Sequence, residues 1–75
     1  MEEQVLKLLQ EEYPEIDFTT SDTMVEDGIL DSITITGIIG ALSLEFGIQI
    51  PYEEIKEENF NSVLAMAGVV SRLQK

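Results

Sequence analysis

The sequence predicts an all-α fold: a four-helix bundle with a long first loop and a short third helix. Apolar residues recur at steps of three and four in three segments, and residues suited to helix ends bound those segments. Hydrophobic content of 44% argues for a folded chain, while zero cysteines leave no disulfides and no thiolate zinc site. A chain of 75 residues must then be held by helix packing or by a partner. One domain, residues 1–75, is expected.

The first helix is read in "EEQVLKLLQEEYPE". Val5, Leu8, Leu9 and Tyr13 recur at helical spacing, with Leu6 beside them. Glu2 and Glu3 suit the positive end of the helix dipole. Pro14 disfavours a helical residue before it, so the helix should stop near Tyr13. "EIDFTTSDTMVEDGIL" has no sustained period and reads as a long loop, pinned by Ile16, Phe18, Met24, Val25 and Leu30 packing inward. Loops of that length in so small a domain are uncommon and often functional.

The second helix is "DSITITGIIGALSLEFG", entered at Asp31 or Ser32 and closed by Gly47. Ile35, Ile38, Ile39, Leu42 and Phe46 form its core stripe. The alternating, β-branched "ITIT" competes as a strand, but the regular continuation to Phe46 and the terminal glycine favour helix. Pro51 suits the start of a short third helix, with Glu53 and Glu54 in its first turn. "NSVLAMAGVVSRLQK" is the fourth, capped by Asn61 or Ser62. Val63, Met66, Ala67, Val70 and Leu73 are its apolar stripe, and Arg72 and Lys75 suit its C-terminal end.

Charge narrows the function. Fifteen acidic residues against four basic ones give a net charge of -11. Such a surface repels phosphate backbones and anionic lipid, so neither nucleic acid nor membrane is an expected partner; proteins with basic patches are. The N-terminus has no basic n-region or long apolar run, so the chain is read as cytoplasmic. A monomer is expected.

"EDGILDSITIT" raises the chemical question, because Ser32 stands beside an acid. Nucleophilic serine catalysis needs a base, and the chain has no histidine; its lysines and arginine lie on other segments. Paired carboxylates are too common in so acidic a chain to mark a hydrolytic site. An enzyme is not expected. Calcium fares no better. With Gly28 at the glycine position of an EF-hand loop, Val25 and Thr34 fall where side-chain oxygen and a bidentate carboxylate are required. No metal site is expected.

Ser32 is therefore read as a residue acted upon. Its plain structural role is helix N-cap. Its functional role follows from the setting: at a helix start after an exposed loop, an attached anion would meet free backbone N–H groups and the dipole. Gly28 would let the loop turn just before it.

These residues resemble the acyl carrier protein family. "EDGILDSI" is similar to its glycine–x–x–aspartate–serine–apolar signature, whose serine carries a phosphopantetheine arm. "LSLEFGIQIP" resembles the end of the family's second helix. "EEIKEENFNSV" is similar to the third-helix region of small stand-alone carriers. The resemblance covers nearly the whole chain and implies the acyl-carrier type of four-helix bundle. It implies that a phosphopantetheinyl transferase, using coenzyme A and magnesium, modifies Ser32, and that Asp31 helps that enzyme and its metal engage. It also implies that the arm or a partner touches Ile33. The arm would hold acyl or aminoacyl groups as thioesters and present them to a ligase or synthase.

The second helix departs from fatty-acid-type carriers, which display several acids there. Only Glu45, near its end, is charged. Ile33, Gly37, Ala41 and Leu44 form a second, non-core stripe, with Thr34 and Gly40 beside it. Gly37 and Gly40 each cost about 1 kcal/mol relative to alanine in a helix interior. Either they let a partner approach the helix backbone, or they permit close packing or a kink within the domain. The loop and the "ENFNSV" segment look more like carriers that work with adenylate-forming ligases, with fatty acid, polyketide and nonribosomal peptide pathways all open. The rival function is an unmodified interaction module using the apolar face of the second helix. Glu53, Glu54, Glu57 and Glu58 are either a solvated face or a patch that steers basic enzymes.

Overall fold

The computed structural model describes residues 1–19 and 22–74; Thr20 and Ser21 of the expected loop, and Lys75, lie outside them. Helix α1 spans Glu2–Glu12 and buries Val5 and Leu9, while Leu6, Leu8 and Tyr13 are partly buried against the core. Tyr13 leaves helical geometry, as the following proline demands, and its N–H closes the helix on the Leu9 carbonyl at 2.8 Å.

Helix α2 spans Ser32–Phe46, so the "ITIT" run is helical; no strand occurs among the described residues. Ile38 and Leu42 are buried, with Ile35, Ile39 and Phe46 packed at the margin of the core. Gly47 ends the helix at φ 62, a left-handed conformation that favours glycine. The long loop is anchored as expected: Phe18, Met24 and Leu30 are buried, and Ile16 and Val25 pack against the core.

The third helix differs from its sequence expectation. Pro51 and the two following glutamates make only a 3-10 turn, Tyr52–Glu54; the chain breaks at Ile55, and α3 spans Glu57–Phe60. Tertiary ties hold the break. The Asn59 side-chain amide donates to the Glu54 carbonyl at 2.8 Å, and Arg72 pairs with the Glu54 carboxylate at 2.7 Å. Helix α4 spans Val63–Leu73, and Ser62 caps it by accepting from the Ala65 N–H at 3.0 Å. Val63, Met66, Ala67 and Val70 are buried as expected, and Val69 joins them; Leu73 is partly buried. Helix α4 packs against α1 and α3, and α1 packs against α2. No described helix is long and apolar enough to cross a membrane.

Candidate functional site

Everything at Ser32 is set by the turn before it. Residues 23–28 wind into a tight turn in which the Asp27 N–H donates to the Thr23 carbonyl and the Gly28 N–H to that of Val25. Gly28 reverses the chain at φ 78, where a side chain would be strained. The Ile29 and Leu30 N–H groups then return to the Met24 carbonyl, delivering the chain to the start of α2.

Asp31, not Ser32, is the N-cap. Its backbone is extended, and its carboxylate accepts from the Thr34 N–H at 2.8 Å. That bond, chiefly, holds its carboxyl below the ordinary aspartate value. Two expectations change. Ser32 occupies the first helical position rather than the cap, leaving its side chain exposed and its hydroxyl without a hydrogen bond among the described residues. An anion at Ser32 would also find one of the terminal N–H donors already taken by Asp31.

The Ser32 side chain borders a cleft of about 430 Å³. Ser32, Ile35, Thr36 and Ile39 of α2 form one wall; Ile55, Lys56, Glu57 and Phe60 form the other, and Val25 reaches in from the loop. Thr36 contributes little polarity, because its hydroxyl donates to the Ser32 carbonyl at 2.8 Å. The interior is thus apolar, with Lys56 and Glu57 as its charged lining residues. None of Val25, Ile55, Lys56 or Phe60 had been assigned to a site: Ile55, Lys56 and Phe60 lie at or after the break that follows the 3-10 turn, and Val25 comes from the loop before α2.

Asn61 is the other unforeseen residue. Its side-chain carbonyl accepts from the Val25 N–H at 2.9 Å and from that of Glu26 at 3.3 Å; its backbone carbonyl accepts from the Met24 N–H at 2.9 Å. The loop that presents Ser32 is thereby fastened to the α3–α4 junction. An asparagine before a capping serine carries no such signal in sequence.

The other residues assigned to the second-helix face are distributed unevenly. Ile33 and Leu44 are 84% and 88% exposed. Gly40 is exposed, with open space where a side chain would point. At Gly37 the Tyr13 hydroxyl fills the place a Cβ would take, so this glycine accommodates the end of α1. Thr34 and Ala41 are half-buried, on the flank of α2 shared with Gly37.

The described residues thus form a small helical domain with an exposed serine beside an apolar cleft. A family model described as "Phosphopantetheine attachment site" matches residues 3–70. The chain belongs to that family and is a carrier with covalently attached phosphopantetheine; such carrier domains are in general non-catalytic. No curated protein and no solved structure matches it. The residues around Ser32 would fit such a group: its exposed hydroxyl would offer an attachment atom, and the cleft beside it would admit an arm.

Proposed function

We propose that Ser32 bears the phosphopantetheine arm and that the protein holds acyl groups on it as thioesters for partner enzymes. The single observation that carries this is the exposed Ser32 on the rim of the apolar cleft, its hydroxyl without a hydrogen bond among the described residues. A phosphopantetheinyl transferase would supply the missing base. Ser32 Oγ would attack the pantetheine-side phosphorus of coenzyme A, the bond to adenosine bisphosphate would break, and the hydroxyl proton would pass to the transferase. Asp31 is proposed to assist this step through the transferase's metal.

Val25, Ile35, Ile39, Ile55 and Phe60 favour a cargo with an apolar chain over a charged aminoacyl group. Partners are proposed to dock on the charge-poor face of α2, with Ile33 and Leu44 as contacts, Gly40 allowing close approach, and Thr34, Gly37 and Ala41 at its margin. The protein itself is proposed to have no catalytic activity and to act as a cytoplasmic monomer.

Incubation with coenzyme A and a broad-specificity transferase should add the mass of one phosphopantetheine, and Ser32→Ala should abolish the gain. Failure to gain mass with several transferases would sink the assignment and leave the unmodified interaction module standing.

A further inference from the structure

Lys56 occupies a singular position in a chain with four basic residues. Lys7 lies on α1, Arg72 is paired with Glu54, and Lys75 lies outside the described residues. Lys56 borders the cleft, on the wall opposite Ser32, and pairs with no acid among the described residues. Its backbone is fixed at the extended N-cap position of α3, where its N–H donates to the Glu54 carbonyl and its carbonyl accepts from the Asn59 N–H.

The electrostatics at Ser32 call for such a cation. A phosphodiester there adds a negative charge beside Asp31, whose carboxylate already takes the Thr34 N–H. Glu57, on the same cleft, repels it further. The end of α2 therefore offers less to an anion than a helix terminus normally does. Lys56 is the one cation lining the cleft, and its flexible stem lets the ammonium meet a phosphate as a point charge.

We infer that the Lys56 ammonium pairs with the phosphodiester on Ser32, drawing it across the cleft mouth so that the arm starts over the apolar lining instead of pointing to solvent. This positioning role rests on Ser32 being the attachment site. The pairing spans the two walls, so it also ties α2 to the segment before α3 in the arm-bearing form only.

The test uses the phosphopantetheine-bearing protein, verified by mass, in wild-type, Lys56→Met and Lys56→Arg forms. In Lys56→Met, the arm thiol should react with neutral iodoacetamide roughly two- to five-fold faster, the span expected of an exposed ion pair. Nuclear Overhauser contacts from the arm's geminal methyls to Ile39 and Ile55 should weaken, and Lys56→Arg should restore both. The rate difference should vanish near 1 M salt, where the Debye length is about 3 Å. A Lys56→Met protein that carries the arm yet matches wild type in thiol rate and methyl contacts would overturn the inference. If no mass is gained, the attachment reading fails first and this one with it.

Discussion

At Asp31 two demands meet on one side chain. The carboxylate caps α2 through the Thr34 N–H, and that bond depresses its pKa below the reference value of 3.8. By linkage, its contribution to stability is present above the unfolded-state pKa and is lost as pH falls through the lowered folded value. The same carboxylate is the group proposed to engage the transferase and its metal. Serine and alanine separate the roles, because serine caps well without a charge. Asp31→Ser should melt near wild type at neutral pH, whereas Asp31→Ala should melt a few degrees lower. Both should take up phosphopantetheine several-fold more slowly, followed by mass spectrometry. Wild-type uptake by Asp31→Ser would mean that the aspartate only caps. In sequence, Asp31 and Ser32 were indistinguishable as caps, since both residue types fill that position equally well. The choice is made by where the turn after Gly28 releases the chain, which is set by hydrogen bonds to Met24.

At the scale of the element, α2 carries two glycines with opposite surroundings. Periodicity was enough to find the helix, its core stripe and its glycine end, because burial against α1 and the loop enforces the apolar repeat. It could not tell Gly37 from Gly40, since the difference is the Tyr13 ring arriving from α1. Gly40 faces open space, so Gly40→Ala should stabilise the protein by about 0.5–1 kcal/mol through helix propensity and a less free unfolded chain. Gly37→Ala should gain less or lose stability, because Tyr13 must move. Thermal or urea melts of the two variants give the comparison. If Gly40→Ala is stabilised but slower to load with a partner enzyme, the open backbone there serves the partner. The split third helix was illegible for a similar reason. Its turn residues and glutamates suit one continuous helix, and only Asn59 and Arg72, both reaching Glu54, reveal the break.

Across the whole molecule, fifteen acids face four bases, yet one ion pair is formed among the described residues, Arg72–Glu54, and its arginine side chain is 55% exposed. Attractive pairing therefore has little to lose to salt, whereas repulsion among the surplus acids has much to lose. Raising sodium chloride from about 0.01 M to about 1 M shortens the Debye length from about 30 Å to about 3 Å and silences both. Relief of repulsion should win, because a large net charge destabilises the compact state. The expected gain is on the order of 1 kcal/mol, or roughly 4–8 °C in melting temperature for a domain of this size. Chloride is the suitable salt, since sulfate would strengthen apolar burial independently of charge. A melting temperature that falls steadily with chloride would mean that attractive contacts dominate the surface. The same surplus of acid raises the value of a lone lysine at the cleft: in this field a phosphodiester on Ser32 would gain most from the one cation among the residues that line it.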